Sequence, residues 1–257
     1  MIRKRNFSII LFLIIIFLLW YNFFYSHENF KSENDKIELI VARYNEDLDW
    51  LKDEKYNKYS TIIYNKGDDE KFYFPPKLKI VKLQNVGVCV HTYLFHIIEN
   101  YDNLADVTIF LPGSCMSPTK IDMTKRTVEL VEETKNSVFI IIRHDDYIQN
   151  SMGDFILENY NLENDKNKEK NNDSKLQNCK IRPFGNWYNS LFPNINIKVF
   201  NIKGIFALSR EHILNRSKES YQELLSFVDK DVNGECPHFF ERAFLAIFHP
   251  IPEECLY

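Results

Sequence analysis

Polar residues follow two runs of the sequence at the point where each run ends. The runs span residues 37–42 and 60–64, and both are typical of strands. The polar residues that follow them are Arg43, Asn45, Glu46, Asn65 and Lys66. Amide and carboxylate groups suit the hydroxyls of a ribose and the edge of a base, and cationic groups suit a phosphate. These residues therefore predict a nucleotide site, although a helix-capping role for Asn45 is equally consistent with the sequence.

The stretch from 91 to 114 contributes two more candidates. His91 stands at the start of a predicted helix, where the helix dipole favours contacts with an anion such as a diphosphate. Ser114 follows the Pro-Gly pair that closes an apolar run, and ligands of open parallel sheets bind beyond the carboxyl ends of strands. His96 does not share a helix face with His91 as a metal-binding pair would, so we expect His96 in the core.

Two charged residues near predicted helix starts could act on a substrate. Glu241 opens a helix after Pro237-His238, and a carboxylate there could be the general base that deprotonates an acceptor hydroxyl. The alternative is that Glu241 and its neighbour Arg242 pair with other residues and fix the helix. Arg210 could balance the charge of a phosphate, although the serine before it is typical of an ordinary helix N-cap.

Asp145 and Asp146 are the nearest acidic pair that follows a predicted strand, and His144 precedes them. Carboxylate oxygens are ligands that Mg²⁺ and Mn²⁺ prefer, so the pair is a candidate metal site. A solvated turn is the alternative interpretation of the same residues. A nucleophilic hydrolase is not expected, because the sequence contains no Gly-x-Ser-x-Gly elbow.

The elements that would position these residues predict an α/β fold, with a mostly parallel central sheet flanked by helices in a Rossmann-like arrangement. An amphipathic run at 94–101 indicates a helix, and it leads into a buried strand at 107–111. A helix followed by a buried strand is half of a βαβ unit, which implies parallel strands. Further strands are predicted at 78–83, 138–142 and 198–202, and a short apolar segment at 204–209. Helices are predicted to begin at 47–51 and to span 124–135, 211–227 and 239–248.

The N-terminal part of the chain predicts a membrane anchor. Residues 7–25 are almost entirely apolar, and a helix needs about 20 such residues to cross a bilayer. Basic residues precede this run, and aromatic residues lie at its end, where an interfacial belt is expected. A cleaved signal peptide is the alternative, but no small-x-small cleavage site follows. We therefore expect a single-pass type II protein that contacts the lipid bilayer through residues 7–25.

The anchor sets the predicted domain order. A cytosolic tail (1–6) precedes the anchor, and a stem (26–36) and a single α/β domain (37–257) follow it. A stretch with almost no apolar residues, 161–178, is predicted to be a disordered insertion in that domain. The basic N-terminus is expected in the cytosol, and the domain in the lumen of the endoplasmic reticulum or Golgi, or outside the cell.

Charge and cysteine content limit the classes of partner. The formal net charge is −4 and the isoelectric point is near 6.0, so nucleic acid is not an expected partner. The five cysteines include no Cys-x-x-Cys pair, which argues against a zinc site. A lumenal domain could form one or two disulfides, and the odd count leaves one thiol. Sequons at Asn172 and Asn215 would accept N-glycans in that compartment.

Five blocks in fixed order carry a resemblance to a known family. They read ARYNEDLDWL, IIYNKG, LQNVGVCVHTYLFHIIENYDNLADVTIFLPGS, GIFALSREHI and FFERAFLAIF. From about residue 37 to residue 248 the chain resembles the family described as domain of unknown function 3431. That family is in turn similar, remotely, to nucleotide-sugar glycosyltransferases of the GT-A type.

The resemblance implies an enzyme that moves a sugar from a nucleotide-sugar donor to a hydroxyl of a glycan or protein acceptor. In GT-A enzymes an Asp-x-Asp at the end of the central strand holds Mn²⁺ or Mg²⁺ against the donor diphosphate, so either ion could be a cofactor. Here that position reads Leu111-Pro112-Gly113-Ser114, without a carboxylate. Cations at Arg43, Lys66 or Arg210, or the helix start near His91, are the alternatives for balancing the diphosphate. A non-catalytic, membrane-anchored binding protein of the same fold is the alternative function.

Overall fold

A computed structural model describes residues 36–69, 78–143, 152–157, 176–196, 198–232 and 234–257. Its largest sheet has five strands: β1 (Ile37–Arg43), β2 (Ser60–Asn65), β3 (Leu78–Lys82), β4 (Val107–Pro112) and β7 (Phe206–Ser209). Two short strands, β5 (Ile142–Arg143) and β6 (Val199–Phe200), pair antiparallel as a separate ribbon.

The order of strands in the main sheet is β3-β2-β1-β4-β7. The first four strands in sequence pair parallel to their neighbours, and β7 pairs antiparallel to β4. The chain steps outward from β1 to β3 and then returns to the other side of β1 to form β4. The strand order therefore reverses between β1 and β4, and open α/β sheets bind ligands beyond the carboxyl ends of such a pair. The prediction of a mostly parallel central sheet flanked by helices is confirmed.

Helices cover both faces of this sheet. In the described ranges they are α1 (Glu54–Asn57), α2 (Val88–Glu99), α3 (Ile121–Thr134), α4 (Phe184–Leu191), α5 (Arg210–Leu214), α6 (Lys218–Leu225) and α7 (Cys236–Ile247). Short 3₁₀ helices lie at Asp49–Lys52, Tyr101–Asn103 and Glu253–Cys255.

The two faces of β1 explain its nearly unbroken apolar sequence. Leu39 and Val41 pack in one hydrophobic cluster with residues of α3, whereas Ile40 packs in a second cluster with residues of α2 and α7. Successive side chains of a strand point to opposite faces, so a strand covered on both sides must be apolar at every position. This packing places the end of β1 between two helical layers.

Several elements differ from the sequence predictions. Within the predicted strand 138–142, Val138 and Phe139 form only isolated bridges, and regular pairing begins at Ile142. The side chain of the buried Asn201 accounts for part of this, because its Nδ2 donates to the carbonyl of Ile140 at 2.8 Å. The Asn201 side chain thus bonds to the Ile140 carbonyl, an acceptor that the backbone of a neighbouring strand would otherwise use. The predicted strand 198–202 is correspondingly reduced to β6.

The predicted helix 211–227 is two helices in the structure. The side chain of Ser217 accepts a hydrogen bond from the backbone N–H of Ser220, which is the geometry of an N-cap, so α6 begins anew there. The predicted helix start at 47–51 forms only a 3₁₀ turn, and α4 lies in a segment for which no helix was predicted.

Among the described residues no helix is both long and apolar enough to cross a membrane. The predicted anchor at 7–25, the pair Asp145 and Asp146, and most of the predicted insertion lie outside the described residues. The last residues of that insertion, 176–178, are described, and Gln177 forms a parallel bridge with Gly234.

Candidate functional site

A cleft of about 240 Å³ opens at the carboxyl edge of the sheet. It lies at the ends of β1 and β4, where the strand order reverses. Its polar lining includes five residues that the sequence analysis selected: Arg43, Glu46, Lys66, Ser114 and Glu241. Other residues of the lining include Tyr44, Asn85, Cys89, Lys120, Lys203 and His238.

Arg43 is the most buried cation of this site, with 1% of its surface exposed. Its Nε donates to the carbonyl of Glu46 at 2.8 Å, and its Nη1 donates to the amide oxygen of Asn65 at 3.0 Å. Its Nη2 pairs with the carboxylate of Asp69 at 3.2 Å. The planar guanidinium therefore joins the loop after β1 to the loop after β2, which gives Arg43 a positioning role at the floor of the cleft.

Asn45 and Asn65 serve the same two loops. The backbone N–H of Asp69 donates to Oδ1 of Asn45 at 3.2 Å, and that of Gly67 donates to Oδ1 of Asn65, also at 3.2 Å. Gly67 lies so close to the loop after β1 that an added Cβ would stand 1.5 Å from the Tyr44 carbonyl oxygen. Both asparagines thus hold backbone in place, and neither is in the cleft lining.

Glu46 fills the space beside Gly113 at the end of β4. Its Oε2 accepts a hydrogen bond from the backbone N–H of Tyr44 at 2.6 Å, and a Cβ added at Gly113 would stand 2.6 Å from that same oxygen. The loop that follows β4 therefore has no room for a side chain at position 113 while Glu46 holds this conformation.

Lys66 lies at the end of β2 with only 7% of its surface exposed. Its Nζ donates to the carbonyl oxygens of Val86 and Val88, at 2.6 Å and 2.5 Å. Burial lowers the pKa of Lys66 to about 7, against a smaller opposing effect of Cys89. Val88 holds φ at +44°, in a left-handed region that is strained for a β-branched residue. The buried amine of Lys66 thus donates to the carbonyl of a residue, Val88, whose backbone is strained.

Two further lysines complete the cationic side of the cleft. Nζ of Lys120 donates to Oγ of Ser114 at 2.9 Å, and Nζ of Lys203 donates to the carbonyl of Thr119. Both residues are half-buried, and the contact of Lys203 lies on the exposed side of the cleft. Neither lysine was among the predicted site residues. Lys120 precedes α3, and Lys203, although it follows the predicted strand at 198–202, precedes a glycine turn. The Lys203-Gly204 pair before an apolar segment was the available signal of a turn at that edge.

Glu241 lies on α7 and lines the same cleft. Across the described part of the chain its carboxylate makes no hydrogen bond and no ion pair. After burial, this carboxylate is the largest contribution that raises the pKa of the Cys89 thiol to about 11, so the two groups are near each other.

Arg242 does not hold its neighbour Glu241 in place. Its guanidinium lies 3.9 Å from the ring centre of Phe155, and its Nη1 donates to the His238 carbonyl at 2.8 Å. The interpretation that Arg242 fixes the helix fits these contacts, whereas the interpretation that Glu241 does so has no contact in its favour in the described ranges.

His91, His96 and Arg210 lie away from the cleft lining. His91 is buried and stacks on Phe95 with ring centres 6.1 Å apart, and burial lowers the pKa of its ring to about 4. His96 is fully buried beside Tyr64, in agreement with its expected place in the core. Arg210 pairs with Asp106 at 2.8 Å at the amino end of β4, which is the opposite edge of the sheet.

The donor set at the end of β4 does not fit a divalent cation. The strand ends at Pro112, Gly113 and Ser114, and the Ser114 hydroxyl accepts from the Lys120 ammonium. The one carboxylate described beside them is that of Glu46, which accepts from the backbone N–H of Tyr44. A positive charge adjacent to the hydroxyl opposes a second cation at this position. Within the described ranges no three His, Cys, Asp or Glu side chains cluster closely enough to hold a metal ion.

A disulfide and a buried ion pair fix the start of α7, the helix that bears Glu241. Cys236, its first residue, is bonded to Cys179, while Cys89, Cys115 and Cys255 are free thiols. The fully buried Glu235 accepts hydrogen bonds from the backbone N–H groups of Leu157 and Cys179. Nε of Arg182 lies 2.8 Å from its Oε2, within ion-pair range although not aligned as a hydrogen bond.

The chain belongs to the family described as "Protein of unknown function (DUF3431)", whose model matches residues 39–256. The match covers the whole sheet apart from the first residues of β1, together with all the cleft residues, and it confirms the family to which the sequence blocks pointed. A comparison with curated proteins found no match.

Proposed function

We propose that this member of the DUF3431 family is a glycosyltransferase that moves a sugar from a nucleotide-sugar donor to a hydroxyl of a glycan or protein acceptor. The observation that carries the proposal is the Glu241 carboxylate, which lines the cleft without a hydrogen bond or ion pair from any described residue. The lining of the same cleft includes three lysines, Lys66, Lys120 and Lys203. A carboxylate and several cations in one cleft suit a general base together with a phosphate leaving group.

In the proposed reaction Glu241 is the general base. An acceptor hydroxyl oxygen attacks the anomeric carbon of the donor sugar, and its proton passes to the Glu241 carboxylate. The new carbon–oxygen bond forms as the bond to the donor phosphate breaks, and that electron pair leaves with the nucleoside diphosphate. This is the arrangement of an inverting transfer, with base and leaving group on opposite sides of the reacting carbon.

The donor side of the cleft comprises Glu46, Lys66 and Ser114. Glu46 and Ser114 offer oxygen atoms for sugar or ribose hydroxyls, and Lys66 offers a cation for a phosphate. Arg43 and Asn65 act on the donor indirectly, because their contacts join the two loops that bear these groups. Likeness of this sheet to GT-A enzymes is an analogy of fold, so the proposal depends on the residues of the cleft.

Replacement of Glu241 by Gln tests the proposal, because it preserves the shape of the side chain and removes the base. The assay follows release of nucleoside diphosphate from a panel of nucleotide sugars by the full-length chain. We expect Glu241→Gln to lower turnover by on the order of 10²–10⁴ while donor affinity stays unchanged. Glu223, an exposed glutamate of α6, provides the matched control as Glu223→Gln.

Two outcomes would count against the enzyme. Full turnover in Glu241→Gln would make Glu241 a structural residue. Tight binding of a nucleotide sugar by the wild-type chain, with no release of nucleoside diphosphate under any condition, would favour the non-catalytic binding protein. The position after β4, which lacks the carboxylate pair of GT-A enzymes, is the observation that favours this second candidate.

The proposed setting is a single-pass membrane protein, anchored by residues 7–25, with residues 37–257 lumenal or extracellular. The Cys179–Cys236 disulfide supports an oxidising compartment. Asn215 is exposed, as a glycan acceptor must be. We expect a glycosidase-sensitive mobility shift that decreases in Asn215→Gln and disappears in Asn172→Gln/Asn215→Gln. Digestion of the C-terminus by protease added outside sealed microsomes would contradict this topology.

A further inference from the structure

Three lysine ammonium groups of the cleft contact only neutral oxygens. Lys66 donates to two backbone carbonyls, Lys120 to the Ser114 hydroxyl, and Lys203 to the Thr119 carbonyl. In the described part of the chain none of the three has a carboxylate partner.

Several basic side chains elsewhere are paired with carboxylates, although others among the described residues, such as Arg216, donate only to neutral oxygens. Lys55 lies 2.8 Å from Glu129, Arg210 lies 2.8 Å from Asp106, and Arg182 lies 2.8 Å from Glu235. The three cleft lysines therefore differ from these side chains in their environment and not in their chemistry. An anion bound in the cleft would supply the negative charge that no described carboxylate supplies to these three lysines by an ion pair.

The three lysines come from separate parts of the chain and line the same cleft. Lys66 follows β2, Lys120 precedes α3, and Lys203 lies in the turn before β7. Their shared cleft lies where the strand order reverses, which is the usual place for a phosphate-bearing ligand in such sheets. Several ammonium groups around one cleft suit a ligand with more than one negative charge, such as a diphosphate.

The loop after β4 holds Lys120 close to the end of that strand. Glu46 occupies the space where a side chain at position 113 would point, and Nζ of Lys120 donates a hydrogen bond to the hydroxyl of Ser114. A lysine therefore lies beside the position at which GT-A enzymes hold a metal ion against the diphosphate.

We propose that Lys66, Lys120 and Lys203 bind the diphosphate of the donor, and that their ammonium charges replace a divalent cation in this role. The identity of the donor rests on the proposed transferase function, whereas the binding of a diphosphate does not. Lys66 is the innermost of the three, and the two half-buried lysines flank the diphosphate nearer the surface.

The test is titration of the full-length chain in detergent with inorganic pyrophosphate, followed by calorimetry with EDTA in the buffer. We expect the wild-type chain to bind pyrophosphate under these conditions, and more tightly than inorganic phosphate. Lys120→Met and Lys203→Met should each weaken binding by about tenfold, and the double variant by more. The matched control is Lys125→Met, since Lys125 is exposed on α3 outside the cleft lining.

Failure to bind pyrophosphate with EDTA would overturn the proposal, as would binding that appears only after Mn²⁺ is added. Affinity equal to wild type in both single variants would also overturn it. These half-buried lysines carry the test because Lys66→Met removes a buried side chain and could unfold the protein. If Glu241→Gln keeps full turnover while pyrophosphate binding depends on the lysines, the transferase mechanism fails and the diphosphate site stands. If Glu241→Gln loses turnover while pyrophosphate binding does not depend on the lysines, the transferase mechanism stands and only the lysine site is ruled out.

Discussion

The two edges of the central sheet use the same kinds of charged residue in opposite ways. At the amino edge, Asp106 accepts from the backbone N–H of Lys36 at 2.8 Å and pairs with Arg210, whose Nε donates to the Leu104 carbonyl. The charges of Asp106 and Arg210 therefore pair with each other within the protein. At the carboxyl edge, Lys66, Lys120 and Lys203 face a cleft without a carboxylate partner in the described ranges. Pairing marks a structural cation, and its absence in a cleft marks a candidate for ligand binding.

The amino edge also shows why residue types alone do not identify a site. There Oγ of Ser137 lies 2.6 Å from Nδ1 of His212, and Oγ of Ser209 lies 3.0 Å from the same nitrogen. A serine beside a histidine is the start of a nucleophilic dyad. These side chains, however, are not part of the lining of the cleft at the carboxyl edge, and Ser209 caps α5. The cluster is therefore part of the architecture.

Arg43 should show the largest effect, because it is the one cation at the carboxyl edge that is paired as at the amino edge. We expect Arg43→Met to lower the free energy of unfolding by about 2–4 kcal/mol, since a buried guanidinium that joins two loops is lost. Urea denaturation measures the change. If stability is unchanged and only nucleotide affinity falls, Arg43 binds the ligand. The rule that a cation paired within the protein is structural would then fail for Arg43.

Lys66 should make anion binding depend on pH. Burial lowers its pKa to about 7, so in the free protein it loses its charge as the pH rises through that value. A bound anion raises the pKa of the amine, so binding above pH 7 requires proton uptake, and affinity should fall by up to about tenfold per pH unit. Neighbouring Cys89 and His91 have pKa values of about 11 and 4, which leaves Lys66 as the group of the three that titrates in this window.

Titration of pyrophosphate at pH 6.5 to 8.5, in buffers of different ionisation enthalpy, measures that proton uptake. Protonation of the pyrophosphate itself contributes equally to all variants. Beyond that contribution, Lys203→Met should retain the proton uptake due to Lys66, and Lys66→Met, once circular dichroism shows that it is folded, should lose it. An identical dependence in the two variants would show that Lys66 does not contact the anion.

Arg210 should show the smallest effect, and only on stability. Its partner Asp106 is partly exposed, as is Arg210 itself, so solvent screens the pair. We expect Arg210→Met to lower the free energy of unfolding by about 1 kcal/mol or less, with unchanged pyrophosphate affinity. A tenfold loss of affinity in this variant would mean that the two edges are coupled.

The sequence predicted most of the sheet because its strands are buried on both faces. The runs at 37–42 and 107–111 are apolar at nearly every position for that reason, and β1 and β4 follow them closely. Pairing near Ile140 was not predictable, since it depends on the side chain of Asn201 from a distant segment. The break after α5 had a local signal in Ser217, which the apolar pattern of 211–227 obscured.

The structure brings together several of the predicted residues that follow parallel strands. Arg43, Glu46, Lys66 and Ser114 line one cleft, because the carboxyl ends of parallel strands share one edge, whereas Asn45 and Asn65 at the same edge do not line it. Arg210 is the first residue of α5 and follows the antiparallel β7, whose carboxyl end lies at the opposite edge. The direction of one strand thus separates Arg210 from Lys66, and neither composition nor spacing specifies that direction.

The disulfide between Cys179 and Cys236 links the position of Glu241 to the redox state of the chain, because Cys236 is the first residue of the helix that bears Glu241. The bond closes a loop between cysteines 57 positions apart, and by chain entropy it contributes about 4 kcal/mol to stability. Because Cys236 begins the helix that bears Glu241, a reduced copy has α7 secured at its start by the non-covalent contacts of Glu235. Under the proposed mechanism, a copy retained in a reducing compartment would hold its diphosphate yet transfer sugar poorly. Formation of the disulfide would then be required for full transfer of the sugar but not for binding of the diphosphate.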